Sequence, residues 1–212
     1  MAKVIAVVDY GMGNLRSVAK AIEYVASESD TLVTSDPEVI LSADRVVFPG
    51  QGAARDCMKN LNDHNLSEAV SHAFNNKPFL GICMGLQVLF DHSAENSGVN
   101  CIGLVSGTVR RFDRNDAQSA EKVPHMGWNQ VKQTRAHPLW EGIGDFSRFY
   151  FVHSYYVSPA DSQWIAASTE YLVPFTSAIA RDNVFATQFH PEKSAESGLR
   201  LLQNFTRWDP NQ

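Results

Sequence analysis

Hydrophobic and polar positions alternate with two different periods along the first ninety residues. "KVIAVVDY" opens with a near-continuous apolar run of strand length, the pattern of a strand covered on both faces. Leu15, Val18, Ala19, Ile22 and Val25 then recur at helical spacing. "TLVT" reads as a short strand, and Ser35-Asp36-Pro37 places a cap and a proline where a helix starts. "RVVFPG" is a further strand that runs into a Gly-rich turn. Leu66, Ala69, Val70, Ala73 and Phe74 mark a helix, "FLGIC" the next buried strand, and "MGLQVLFDHS" a helix after it. This alternation predicts right-handed crossovers and a parallel sheet. The second half changes character. "GTVRRF", "WNQVKQ", "RFYFVHSYYV", "WIAAST", "TSAIAR" and "NVFATQFH" are strand-like runs separated by turns, and antiparallel strands there make the sheet mixed. A last helix over 194–208 puts Leu199, Leu202 and Phe205 on one side. The expected fold class is α/β: a single domain over residues 1–212, with a central mixed, largely parallel sheet flanked by helices.

Composition agrees and narrows the class. The chain has 212 residues, 44% hydrophobic and 19% charged, which suits one domain with a sizeable core. No Pro/Gly/Ser-rich linker divides it, and no repeat or low-complexity tract interrupts it. The net charge is -5 and the basic residues are scattered, with Arg110-Arg111 the densest basic spot. That speaks against a nucleic-acid partner, which calls for a basic face. No apolar run approaches the roughly 18 residues of a membrane span. The start reads as a first strand rather than a signal peptide. Three cysteines without a C-x-x-C suggest neither a disulfide framework nor a zinc site, and a reducing cytoplasm is the simplest compartment.

The chemistry-bearing motif is Gly81-Ile82-Cys83-Met84-Gly85. G-x-C-x-G is the cysteine counterpart of the G-x-S-x-G nucleophile elbow. A sharp strand-to-helix turn forces strained backbone angles, and flanking glycines leave room for it. The carboxyl ends of strands in open α/β sheets are also where ligands bind. A helix N-terminus under the sulfur favours thiolate over thiol. The plainer reading is a small buried core thiol. A nucleophile needs a base and an orienter. Of seven histidines, His190 is the best placed: "NVFATQFHPEKS" reads as a strand stopped by Pro191, and Glu192 at i+2 points the same way as His190. His153 is the alternative base. "FPGQGAARD" sets Gln51 between Gly50 and Gly52 at a strand's carboxyl end, where backbone N–H groups can meet developing negative charge. The early "DYGMGN" lacks the third glycine of a dinucleotide fingerprint, because Arg16 stands there.

A Gly-rich turn, a Cys elbow and His-x-Glu, in that order and over nearly the whole chain, resemble the class I (triad-type) glutamine amidotransferases. "DYGMGNLRSV", "PHMGWNQV", "FYFVHSYYV" and "QFHPEKS" resemble in particular the glutaminase subunits of imidazole glycerol phosphate synthases, in histidine biosynthesis. The resemblance implies that Cys83 attacks the side-chain amide of glutamine, that His190 moves the protons, and that Glu192 orients His190. It implies oxyanion donors at Gly50, Gln51, Gly52 and Met84, and substrate contacts at Gln87, Ser154 and Tyr155. Relatives commonly carry an apolar residue where Gln51 stands. No cofactor and no metal are implied. The implied partner is a separate (β/α)8-barrel cyclase subunit that receives the ammonia, since free ammonia near pH 7 is mostly protonated and non-nucleophilic. Asn14, Met126, Trp128, Tyr150 and Lys193 are the interface residues by the same analogy. The resemblance also implies low glutaminase activity until the cyclase binds its ligand, with the Gly50–Gly52 turn as the coupling point. Three readings compete: a glutaminase of another pathway, a free-standing cysteine hydrolase, and a catalytically silent binding module.

Overall fold

The computed structural model describes residues 3–113 and 122–210. The strands are β1 (Val4–Val8), β2 (Asp30–Thr34), β3 (Arg45–Gly50), β4 (Phe79–Cys83), β5 (Phe90–Ser93), β6 (Val99–Asn100), β7 (Val105–Arg111), β8 (His125–Gln130), β9 (Lys132–Gln133), β10 (Arg148–His153), β11 (Tyr155–Pro159), β12 (Ile165–Tyr171), β13 (Val173–Arg181) and β14 (Val184–Thr187). The helices are α1 (Leu15–Val25), α2 (Pro37–Ser42), α3 (Ala54–Asp63), α4 (Ser67–Asn76), α5 (Met84–Gln87) and α6 (Ala195–Arg207).

Twelve of these strands form one mixed sheet in the order β2-β1-β3-β4-β14-β13-β11-β7-β5-β6, with β12 on β13 and β9 on β12. The strands from β2 to β14 run parallel, and β13 and β11 continue antiparallel. β8 and β10 form a separate antiparallel pair. The continuous apolar runs have a direct cause. On β1, Ala6 and Val8 enter a core shared with α2, α3 and α4, whereas Ile5 and Val7 enter the core shared with α1 and α6. Both faces of the strand are dry, so neither set can be polar.

Four local expectations are corrected. "MGLQVLFDHS" is helical only over α5, one turn; Phe90–Ser93 is instead β5, parallel to β7 and antiparallel to β6. Leu86, Val88, Leu89 and Phe90 are all fully buried, so the segment has no polar face from which a period could be read. Helix α3 follows the Gly-rich turn where no element was expected, although Ala54, Cys57 and Leu61 are buried at helical spacing. "RFYFVHSYYV" is two strands parted at Ser154, and the strand before His190 stops at Thr187.

Helix α6 positions the segment after β14. Gly198 lies against the turn 191–193: a Cβ there would sit 1.9 Å from the Pro191 carbonyl oxygen. Gly198→Ala should therefore destabilise the chain by about 2–3 kcal/mol, because overpacking outweighs the gain of about 1 kcal/mol in helix propensity. Urea unfolding measures it; a variant as stable as the parent would contradict this packing.

Candidate functional site

Cys83 ends β4 and opens α5 with φ +56° and ψ −109°, a region that side-chain-bearing residues rarely occupy. Glycines surround the bend because backbone passes there at contact distance. A Cβ on Gly85 would sit 1.8 Å from the Phe48 carbonyl oxygen, and one on Gly81 would sit 2.8 Å from the Ala186 Cβ. One turn of helix sums few peptide dipoles, so α5 gives the sulfur less electrostatic support than a full helix would.

His190 follows β14, and the 191–193 segment is a tight 3₁₀ turn rather than extended chain. The two side chains still meet: His190 Nδ1 lies 2.8 Å from Glu192 Oε1, with both side chains buried. The turn is pinned to β10. The His190 N–H donates to the Tyr150 carbonyl at 2.9 Å, the Tyr150 N–H to Ser194 Oγ at 3.0 Å, and Ser194 Oγ to the His190 carbonyl at 2.6 Å. Burial by itself opposes an imidazolium here, but the Cys83 sulfur and the Glu192 carboxylate together outweigh it and push His190 up to about 10. The other ring nitrogen, Nε2, is buried and makes no hydrogen bond. Its electrostatic neighbour is Cys83.

Cys83 and His190 line one cavity of about 460 Å³, together with Gln51, Gly52, Met84 and Gln87. Val152, Ser154 and Tyr155 form part of its wall. Gly50 abuts this wall from behind, its Cα side facing Tyr10, Met84 and Gly85. Gly13, at φ +108°, packs on Gly50, and Met12 packs on Gly52, so the "GMGN" loop backs the turn. The Gln51 carbonyl accepts from the Cys57 thiol at 3.4 Å. Gln87 Nε2 donates to the Tyr155 carbonyl and to Gln188 Oε1, both at 2.9 Å, and Gln87 Oε1 is buried without a partner.

His153 also lines the cavity, but both its nitrogens are committed. Nδ1 lies 2.8 Å from the Tyr155 carbonyl, which only accepts, so Nδ1 carries the proton. Nε2 therefore accepts, and it lies 2.9 Å from His125 Nδ1. Burial holds His153 down at about 3 and His125 at about 4. His153 is a structural neutral ring and not a base.

The residues singled out as interface positions gather beside the cavity. Trp128 faces Tyr150 across the β8–β10 ladder, ring edge to ring face at 6.3 Å, and Lys193 Nζ sits 5.9 Å from the centre of the Tyr150 ring. Met126 is 63% exposed and Trp128 44%, so neither is core packing. Asn14 caps α1, which touches the 191–193 turn. Sequence reasoning missed Gln188, which is fully buried between Gln87 and Cys83, and Glu95, which lines the cavity and accepts from the Ala54 N–H at 2.8 Å. Gln188 lies just past the end of β14, in a stretch whose strand pattern runs on to His190 and masks it. A second cavity of about 600 Å³ lies around Arg45, Asp44 and Trp208 at the amino ends of the parallel strands. It is larger but holds no nucleophile, so chemistry rather than size selects the first.

Comparison with known proteins agrees. A family model described as "Glutamine amidotransferase class-I" matches residues 6–208. The chain is 59% identical to "Imidazole glycerol phosphate synthase subunit HisH" of Nitrosomonas europaea, over 97% of this chain and 99% of that one. It is 57% identical to the protein of the same name from Thiobacillus denitrificans, over 98% of this chain and 92% of that one. Among solved structures, PurLQS from Thermotoga maritima shares the fold, with a TM-score of 0.68 at 17% identity over 98% of this chain and 99% of the matching one.

The neutral histidines give a pH prediction. His125, His137 and His153 all have folded values lowered by burial, to about 4, 4 and 3. Below about pH 6.5 the unfolded chain takes up protons that these folded rings refuse. The stability these three rings contribute is thus full above that pH and declines as pH falls toward 4, each ring accounting for up to about 1.4 kcal/mol per pH unit. Urea midpoints that stay level between pH 7 and 5 would contradict the assignment.

Proposed function

Because the chain belongs to the class-I glutamine amidotransferases and matches HisH over nearly its full length, we propose that it is the glutaminase subunit of imidazole glycerol phosphate synthase, working through Cys83, His190 and Glu192. The observation that carries the residue assignment is the couple of Cys83 with a buried imidazole that Glu192 orients.

The Cys83 sulfur attacks the side-chain carbonyl carbon of glutamine as thiolate, with the proton held on His190 Nε2. The carbonyl electrons move to oxygen, which backbone N–H groups of Met84 and of the Gly50–Gly52 turn stabilise. One such donor is typically worth about 100- to 1000-fold in rate. As the tetrahedral centre collapses, Nε2 gives its proton to the departing nitrogen and ammonia leaves. A γ-glutamyl thioester remains. Water then adds to it with His190 as base, and glutamate leaves as the sulfur is regenerated. Gln87 Oε1, a buried acceptor without a partner on the cavity wall, supports a role in holding the substrate's N–H groups. The backbone at Ser154 and Tyr155 completes that pocket.

The partner is a (β/α)8-barrel cyclase subunit that takes the ammonia before water protonates it. The half-exposed Met126–Trp128 ridge, with Tyr150, Lys193 and Asn14 beside the cavity, supports this face as the contact. Three free thiols suit a reducing cytoplasm, and no described helix is long and apolar enough to cross a membrane.

Cys83→Ala should abolish glutamine-dependent synthesis by the complex, by about 10⁴-fold or more, and leave ammonia-dependent synthesis intact. His190→Ala should do the same and Glu192→Gln less, since an amide still holds the ring. Loss of both activities in Cys83→Ala would make that residue structural. Glutamine hydrolysis with and without the cyclase and its ligand tests the partner; equal turnover by the free chain would remove it from the mechanism.

A further inference from the structure

A line of hydrogen bonds leads from β8 to the nucleophile, and its direction can be read link by link. The Tyr155 carbonyl can only accept. The group of Gln87 that lies 2.9 Å from it must therefore be the amide nitrogen. The same nitrogen lies 2.9 Å from the Gln188 amide, so the Gln188 atom there must be Oε1. The remaining end of Gln188 is then Nε2, a donor, and it lies 3.8 Å from Cys83 Sγ, within hydrogen-bond reach of sulfur. Reversing the Gln188 amide would set nitrogen against nitrogen at one end and oxygen against sulfur at the other. The carbonyl that starts the series is itself held, because His153 Nδ1 donates to it at 2.8 Å. His153 is in turn fixed by His125, and His125 Nε2 accepts from Asn129 Nδ2 at 3.2 Å.

From this arrangement we infer that Gln188 is a positioning residue for the nucleophile, with its N–H aimed at the sulfur by Gln87 and the Tyr155 carbonyl so that it supports the negative charge the sulfur carries in the reaction. A donor to the charged form stabilises that form, and more so where water is excluded. Gln188 is fully buried and its own N–H donates to the Ser177 carbonyl at 2.9 Å, so the side chain starts from a fixed point on the backbone. The other titratable groups around the sulfur are His190, with Glu192 behind it, and Cys57 and Tyr10 on the far side of the Gly50 turn. Burial is the leading influence on the last two and keeps both protonated, Cys57 pushed up to about 12 and Tyr10 raised well above its ordinary value. Glu95, Lys193 and His153 face the same cavity. His190 brings positive charge to the sulfur. The Gln188 dipole is the second, uncharged support.

This inference rests on Cys83 being the nucleophile, and the experiment separates the two. The full chain is alkylated with iodoacetamide across pH 5–9, and modification at Cys83 is followed by peptide mass spectrometry, with Cys101, whose thiol burial pushes up to about 11 and which has no midpoint in this range, as the background of slow labelling. Gln188→Met removes the donor at nearly constant volume. Gln87→Met leaves Gln188 in place but frees its amide to turn, and it carries the test if the first variant does not fold. In both, the midpoint for Cys83 should rise by about one pKa unit, equal to about tenfold less thiolate at neutral pH, with Cys101 unchanged. In complex with the cyclase, Gln188→Met should lose about tenfold in kcat for glutamine at pH 7, with KM held, and regain most of it at higher pH. An unmoved Cys83 midpoint, or a loss that higher pH does not restore, overturns the role of Gln188. If a glutamine-mimicking diazoketone leaves wild-type Cys83 unlabelled, the nucleophile assignment itself is wrong and the role of Gln188 goes with it.

Discussion

The backbone at Cys83 is bent to φ +56° and ψ −109°, and the strands on either side hold it there. A side-chain-bearing residue in such a region costs about 1–3 kcal/mol, which only an over-determined setting sustains. Here the setting is β4 in the middle of the parallel part of the sheet, between β3 and β14. β3 brings the Phe48 carbonyl so close to Gly85 that no side chain fits, and β14 does the same to Gly81 through Ala186. The same two strands end in the two other parts of the site. β3 delivers the Gly50–Gly52 turn, and β14 leads into His190. Sheet order thus fixes which loops meet the sulfur, and the bend fixes where the sulfur points.

Two histidines in one cavity show how partners decide protonation at similar burial. Desolvation is the leading influence on both, and it opposes charge in both. His153 has a carbonyl on one nitrogen and a neutral ring on the other, and it sits at about 3. His190 has a carboxylate on one side and the thiol on the other, and it sits at about 10. At pH 7 one is a neutral strut and the other a cation beside the nucleophile. Their titration cannot be separated from the groups they touch: the proton on His190 belongs to the pair it forms with Cys83.

Most of the parallel half was legible because a strand buried on both faces must be apolar throughout, as β1 and β4 are. The glycine spacing around Cys83 was equally plain, since close backbone passage tolerates nothing larger. Helix α3 is written in the spacing of Ala54, Cys57 and Leu61, but the glycines before it dominate the local pattern. β5 could not be read, because the buried run Leu86, Val88, Leu89 and Phe90 leads into it without a period. The pairing of His190 with Glu192 was anticipated from strand alternation, yet a tight turn after Pro191 produces it. Gln188, His125 and Asn129 escaped for a different reason. Their meaning lies in hydrogen bonds to residues far away in the chain, and nothing local marks a glutamine as a donor to sulfur.

The surface proposed for the cyclase lies on β8 and β10, and β10 is hydrogen-bonded to the turn that carries the base. On β10, the Tyr150 ring meets Trp128 and Lys193 on the outside, while the Tyr150 carbonyl and N–H hold His190 and Ser194 on the inside. β8 repeats the division: Met126 and Trp128 point out, and His125 starts the polar series toward Gln87. A partner seated on the aromatic ridge would touch two strands: β10, hydrogen-bonded to the turn that carries the imidazole, and β8, whose His125 leads through His153 and the Tyr155 carbonyl to Gln87. The Gly50–Gly52 turn is held by other means, through Cys57, Met12 and the glycines of the first loop. Coupling through that turn would need the partner to reach Asn14 and the loop before it, a route separate from the one through β8 and β10.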